Sequence, residues 1–401
     1  MKLELSIIAG PHQGKKFLLE GHDTFLVGRA KDAHFQLSND DPYFSRRHFL
    51  VEMNPPRCRV IDLSRRNGIL HNGVRVQSAE IADGDEVGAG HTVFKFAFID
   101  DLDENRTLDQ PFTINPTDFP AGYKPFSLAV PGYRIEGELG RGGMGVVYRA
   151  TRERDGIAVA VKTITPAIGT SQRQIDRFFR ESRILSQLDH PNIVAFQEVG
   201  EAGDSIYLVM DLVDGPDLGV RLRDRGPEDI RTAVRIVCQM LEGLAHAHNK
   251  GFVHRDIKPS NILIGRIGEK PTAKLADFGL ARVYETSQIS GLTMQGEIGG
   301  TPAFMAPEQV THYREVKPPA DQYSAAATLY FVLTGKNIHD LPKDIGDQLA
   351  QIVTATPVPI TDRRADIPAE LAQVIHKALS REPEERYLDV MAFRKDLKRF
   401  A

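Results

Sequence analysis

His254-Arg-Asp-Ile-Lys-Pro-Ser-Asn261, followed sixteen residues later by Asp277-Phe278-Gly279, is the stretch on which the fold turns. It places a carboxylate, an ammonium and a carboxamide in one short loop. Asp256 has the chemistry to orient an attacking hydroxyl and accept its proton. Lys258, two residues on, would neutralise a phosphoryl group in transfer, and Asn261 would hold a metal ion together with Asp277. Phosphoryl transfer depends on positioning and charge neutralisation more than on covalent chemistry, and these residue types supply both.

The chain around this loop has 401 residues, which suggests two or three domains. With 41% hydrophobic and 26% charged residues, the composition argues against a disordered or membrane class. A formal net charge of −4 gives no reason to expect nucleic acid as a partner. Cys58 and Cys238 match no metal or redox spacing, so a reducing compartment is the simplest expectation. The longest apolar stretch, Ala325 to Leu333, is too short to span a bilayer, and Glu4 interrupts any signal-like run. A cytoplasmic location is expected.

Three segments follow from pattern. Residues 1–100 read as short strands: Phe25-Leu-Val, His48 to Met53, Cys58 to Leu63 and Val93 to Phe98. Asn67-Gly68, Asn72-Gly73 and Asp83-Gly84 lie between them, the spacing of an all-β sandwich. Residues 101–131 carry prolines at 111, 116, 120, 125 and 131 with no apolar periodicity and read as a linker, whose flexible span is roughly 30 Å. Residues 132–401 begin with strand patterns and continue with helical ones. Ile230, Val234, Val237, Leu241 and Leu244 recur at three- and four-residue steps, and Gly251 marks the stop.

The loop and its surroundings resemble the catalytic machinery of eukaryotic-type (bacterial) Ser/Thr protein kinases, a two-lobed α+β fold with an N-lobe of about 132–212 and a C-lobe of about 213–401. The resemblance implies ATP and Mg²⁺, with Mn²⁺ as a possible substitute. It implies an ATP-binding turn at Gly140, Gly142, Gly143, Gly145 and Val147, a phosphate-holding Lys162 paired with Glu181, and adenine contacts at Ala160, Met210, Asp211 and Val213. In the catalytic loop, Asp256, Lys258 and Asn261 carry the chemistry, Asn261 and Asp277 bind metal, and His254 is a structural histidine. Arg255 would await a phosphate on the segment running from Asp277 to Glu308, where Thr293 is the candidate phosphosite and Thr301 contacts the catalytic residues. Arg386 would pair with Glu308. Two departures stand out: Gln-Tyr-Ser-Ala-Ala-Ala-Thr after Asp321, and Asn-Ile-His-Asp after Lys336. Both concern packing and peptide preference more than catalysis.

Gly28-Arg29, Ser45-Arg-Arg-His48, Asn67-Gly68 and Asn72-Gly73 resemble the forkhead-associated (FHA) domain, which binds phosphothreonine peptides. Residues 1–100 hold 13 Lys+Arg and 13 Asp+Glu, so any anion site here must come from local clustering rather than net charge. The resemblance implies that Arg29 and Ser45, with Arg46 and Arg66, hold phosphate and that Asn67 holds the peptide backbone. His48 and Asn72 would brace the loops. Arg66 departs from the Ser or Thr common before that asparagine.

Together these imply a kinase with Ser/Thr protein substrates and a reader of phosphothreonine in cis or in trans. The linker threonines 107, 113 and 117 are further candidate marks, and a transient dimer would serve trans-autophosphorylation. A non-catalytic scaffold is the competing class, but Lys162, Asp256 and Asp277 are all present. A small-molecule phosphotransferase of related fold is disfavoured by Ala306-Pro307-Glu308 and Thr301.

Overall fold

The computed structural model describes residues 2–99, 130–278 and 302–401, with interruptions at 21–22, 32, 39, 55–56, 65–66, 143–144, 165–171, 204, 268–269 and 313–314. Arg66, Gly143, Thr293, Thr301 and positions 101–129 of the expected linker lie outside the described residues.

The N-terminal unit is a sandwich of two sheets. One has the order β2-β1-β11-β10-β7-β8, built from β1 (Lys2–Ala9), β2 (Lys16–Glu20), β7 (Ile69–His71), β8 (Val74–Val76), β10 (Glu86–Ala89) and β11 (Thr92–Ile99). The other has the order β4-β3-β5-β6-β9, from β3 (Asp23–Gly28), β4 (Phe35–Gln36), β5 (Phe49–Asn54), β6 (Arg57–Asp62) and β9 (Ser78–Glu80). Period-2 patterning drives this arrangement. Leu3, Leu5 and Ile7 of β1 face Val27, Phe49 and Val51 of the second sheet in one core, while the residues between them point away. At the β7–β8 hairpin Asn72 and Gly73 have φ of 47° and 82°, the left-handed pair that a two-residue turn requires.

The remaining chain forms two lobes. The upper one is a sheet of order β12-β13-β14-β16-β15 with one helix: β12 (Tyr133–Gly142), β13 (Gly145–Arg152), β14 (Ala158–Ile164), α1 (Gln172–Ile184), β15 (Phe196–Ala202) and β16 (Ser205–Asp211). Val130, within the expected linker, is already buried beside Tyr133 and Val159, so the fold begins before position 131. The lower lobe holds α2 (Leu218–Arg225), α3 (Ile230–Asn249), the β17 (Ile262–Ile267) and β18 (Lys270–Leu275) hairpin, α4 (Pro307–Thr311), α5 (Pro318–Thr334), α6 (Ile345–Thr354), α7 (Ile360–Arg363), α8 (Ala369–Ala378) and α9 (Val390–Leu397).

Helix α3 shows how the sequence dictates its element. Asp229 caps it by accepting from the Thr232 amide at 2.9 Å, and Val234, Val237, Leu241 and Leu244 bury its apolar stripe. Past the end, Gly251 takes φ +80° and its amide donates to the His248 carbonyl. Helix α5 differs, being buried on nearly every side, which its Ala-rich sequence permits. It is the centre of the lower lobe. One apolar cluster of the protein joins Leu26, Leu50 and Ile61 of the sandwich to residues of α4 and α6.

Candidate functional site

Between the lobes, the loop of 254–261 is held from beneath by Asp321 of α5. That carboxylate is 1% exposed and accepts from His248 Nε2, the His254 amide and the Arg255 amide, each at 2.8 Å. Burial raises its pKa, but the His248 hydrogen bond and charge, together with His254, bring it below the ordinary value, so it is ionised at neutral pH. Arg255 has φ +70°, a conformation that costs a non-glycine residue about 1–3 kcal/mol and persists here because its backbone is tied on both sides. The second tie is Gln309 of α4, whose amide donates to the Arg255 carbonyl at 2.7 Å. His254 donates from Nε2 to the Ala276 carbonyl at 3.0 Å, while its Nδ1 accepts from the Asp256 amide at 3.3 Å. It bonds backbone, as a structural histidine should.

On this support the functional groups converge. Lys258 Nζ is 2.9 Å from Asp256 Oδ2, and Asn261 Nδ2 donates to the same oxygen at 2.9 Å and to the Asp256 carbonyl at 2.8 Å. Above them Lys162, in register with Val147 and Leu208 at the centre of the upper sheet, reaches Asp277 Oδ1 at 2.9 Å. Burial pushes the Asp277 carboxyl up, yet Lys162, His254 and Lys258 hold it below its usual range. Phe278 packs on His254 and closes a small apolar cavity lined by Leu185, Phe196 and Met210. Ala160 pairs with Met210 on adjacent strands, and Val159 with Asp211. At the β12–β13 turn, Gly145 has φ +132° and a Cβ would sit 1.9 Å from the Thr163 carbonyl oxygen, so only glycine fits.

One expectation needs correction. Lys162 makes its ion pair with Asp277, not with Glu181, which lies 3.0 Å from Arg177 one turn earlier on α1. An i,i+4 partner is always within reach on a helix, whereas Lys162 depends on where the whole helix sits.

At the far end of the segment leading from Asp277, Arg386 grips Glu308 with two hydrogen bonds of 2.6 and 2.8 Å. This bidentate pair fixes α4, and with it Gln309.

A second set of loops lies at one end of the sandwich. The Arg29 amide donates to the Ser45 carbonyl and the Ala30 amide to the Arg46 carbonyl, at 3.2 and 2.8 Å. A Cβ at Gly28 would be 2.1 Å from that Arg46 oxygen, which explains the glycine. His48 is fully buried; Nδ1 accepts from the Ser45 amide at 2.9 Å and Nε2 donates to the Gly68 carbonyl at 3.1 Å. Burial keeps its pKa below the ordinary imidazole value, so it is neutral. Arg46 and Asn67 are exposed and Arg29 and Ser45 half-buried, with the Asn67 amide donating to the Tyr43 carbonyl. Asn72 braces a neighbouring turn through Asp85 and the Glu86 amide, each at 2.8 Å.

A family model of the protein kinase domain matches residues 133–395. The chain belongs to the protein kinase family. An FHA domain model matches residues 25–90. The serine/threonine-protein kinase pkn3 of Myxococcus xanthus is 34% identical over 271 residues, 66% of this chain and 49% of that protein. PkaA of Streptomyces coelicolor is 35% identical over 266 residues, 63% of this chain and 47% of that protein. The chain thus spans about half the length of these curated relatives. Among solved structures, Rad53 1–466 in complex with AMP-PNP is similar over 99% of both chains with a TM-score of 0.54; at 23% identity this shows the fold alone. The Mycobacterium tuberculosis PknI kinase domain is 26% identical with a TM-score of 0.54, covering 70% of this chain and all of that one.

Within the kinase, sequence reading missed Asp321 and Gln309 as supports of the catalytic loop. The available signal was an acid in an otherwise apolar helix, since a charge buried there must have partners. In the FHA domain it missed Asp41, which is fully buried and accepts from the Tyr43 and His91 amides and from the Thr92 hydroxyl.

Proposed function

We propose that this chain transfers the γ-phosphoryl group of ATP to Ser and Thr hydroxyls of proteins, and that its FHA domain binds phosphothreonine peptides. The observation that carries the first part is the shared Asp256 carboxylate. Lys258 and Asn261 both hold one of its oxygens, so its position is set before an acceptor hydroxyl arrives. Asp256 would take the hydroxyl proton, and Lys258 would meet the charge of the transferring group. Lys162 would hold nucleotide phosphates, and the backbone of the β12–β13 glycine turn would approach them closely. The donor set suits a hard divalent cation: Asp277 is held ionised and Asn261 adds a carboxamide oxygen. When bound there, Mg²⁺ or Mn²⁺ supplies neutralisation of phosphate charge. Exchange of Arg177 for Lys162 as the partner of Glu181 requires α1 to move, a natural on–off step.

For the FHA domain, the support is the backbone-fixed Arg29–Ser45 pair on loops locked by His48. Two buried, free cysteines suit a reducing cytoplasm, and among the described residues no helix is long and apolar enough to cross a membrane. Trans-autophosphorylation through a transient dimer fits the same reading.

Incubation with radiolabelled ATP and Mg²⁺ tests the kinase. Label should appear on the wild type and vanish with Asp277→Ala; an inert wild type would overturn the enzyme in favour of a scaffold. Titration of a phosphorylated and an unphosphorylated peptide of residues 286–299 into the full chain tests the reader, which is refuted by equal affinity for both.

A further inference from the structure

The outer face of an FHA sheet has no sandwich partner, so its outward positions should be polar. Here they are not. In β3, Phe25 and Val27 face the core and Leu26 faces out; in β5, Phe49 and Val51 face the core and Leu50 faces out; in β6, Ile61 alternates with core-facing Val60. Leu26 pairs with Leu50 and Leu50 with Ile61, so the three make one row across the sheet. All are fully buried, because the kinase covers them. Val310 of α4 and Leu349, Ile352 and Val353 of α6 complete the same apolar cluster. Polar contacts rim it. His34 stacks on His312 with ring centroids 4.4 Å apart, and Arg47 lies 3.7 Å from Glu382. An apolar centre with a polar rim is the anatomy of a specific interface.

The place that is covered matters. Met305, also in the cluster, lies three residues before Glu308 in the segment that begins at Asp277, and α4 carries Gln309, which holds the catalytic-loop carbonyl of Arg255. We propose that the outer face of the FHA sheet docks on this chain's own kinase C-lobe. There it covers the surface beside the Arg386–Glu308 pair that ends the segment from Asp277, and excludes protein-sized acceptors, while short peptides still enter. The partner is the same molecule. Only about 30 residues separate β11 from Val130, which keeps the local concentration of the docking face in the millimolar range. The contact also places Arg47, next to the Ser45-Arg46 reading loop, on the kinase surface, so ligand at the reader and docking are energetically linked. The proposal rests on the kinase reading for its activity readout alone.

A disulfide trap tests it. A Cβ at Gly346 would lie 3.4 Å from the Ser78 Cβ across the interface, close to the roughly 3.5–4.5 Å of a disulfide. Native thiols do not interfere, since Cys58 and Cys238 are buried and the Cys58 pKa is pushed up to about 12. In the full chain carrying Ser78→Cys and Gly346→Cys, mild oxidation should give an intramolecular bond at a rate independent of concentration. The oxidised protein should phosphorylate an Asp256→Asn copy of the chain about tenfold more slowly than after reduction. Its rate on a peptide of residues 286–299 should change less than about twofold. Leu50→Lys with Ile61→Lys, both outward-facing, should abolish the cross-link and raise phosphorylation of the Asp256→Asn copy severalfold. No cross-link at high dilution, a cross-link only between chains, or equal effects on both acceptors would overturn the docking proposal. A chain that cross-links but labels neither acceptor overturns the kinase reading and the exclusion claim, leaving docking itself in place.

Discussion

The catalytic loop and the FHA reading loops solve one problem in two ways. Each needs exposed polar groups held still over a buried organiser. Under the catalytic loop the organiser is an anion: Asp321 binds the amides of His254 and Arg255 and forces Arg255 into a left-handed conformation. Under the reading loops it is neutral: His48 accepts from the Ser45 amide and donates to the Gly68 carbonyl. A buried anion aimed at amides makes strong, charge-assisted bonds and tolerates backbone strain. A neutral imidazole can join a donor to an acceptor without adding charge beneath the arginine-bearing loops. The kinase site balances its charges internally, Lys258 against Asp256 and Lys162 against Asp277, whereas Arg29, Arg46 and Arg47 are clustered near one another in sequence on an electrically neutral domain.

Four experiments break or sharpen this contrast. Asp256→Asn should lower kcat about 10²–10⁴-fold, with a thermal midpoint near wild type, because the loop keeps its organiser. Steady-state phosphorylation and calorimetry check both halves. Asp321→Asn should do the reverse in kind, destabilising the kinase by about 1–3 kcal/mol in urea titrations because it weakens the buried bonds from the His254 and Arg255 amides and from His248. Phosphopeptide affinity should stay within about twofold, and a matching loss would mean the two organisers are not independent. His48→Ala leaves a buried amide and carbonyl without partners, which costs about 1–3 kcal/mol. The FHA domain should lose roughly tenfold in phosphopeptide affinity, while phosphorylation of a short peptide is unchanged.

Acid gives the smallest effect. His48 has a depressed folded pKa, so below its ordinary 6.5 the unfolded chain binds the extra proton and folding weakens. Its contribution is complete above pH 6.5 and falls by up to about 1.4 kcal/mol per pH unit beneath it. Amide exchange of β5 should therefore accelerate between pH 6.5 and 5.5, and His48→Gln should flatten that slope. Asp321 has the same sign in a lower range, since its folded pKa is also depressed. With a carboxylate pKa held below the ordinary 3.8, its support lasts through mild acid and is lost only below that value.

Much of this was legible in the residues. Strand patterns and their turns pointed to the sandwich, and the apolar stripe with Gly251 pointed to α3 and its end, because such local signals need only neighbours in the chain. Candidate site residues could be proposed because they sit in short loops where spacing and chemistry coincide. Asp321 and Gln309 were not legible, since their roles come from contacts with a loop more than fifty residues away. Which partner Lys162 takes, Asp277 here and not the expected Glu181, was not legible for a related reason, as that contact is made or broken by the placement of α1.

The amino-acid order alone determined the two domains and the residue types able to handle a phosphate. Those are consequences of periodicity, turn chemistry and donor sets, all local quantities. Only the tertiary structure decided which carboxylate carries the catalytic loop, that Lys162 rests on Asp277, and that Leu26, Leu50 and Ile61 are buried against the kinase. Alternation could show that those three side chains face away from the sandwich core. Whether that face meets water or protein depends on the free energy of covering it, and the covering surface lies more than two hundred residues further along the chain.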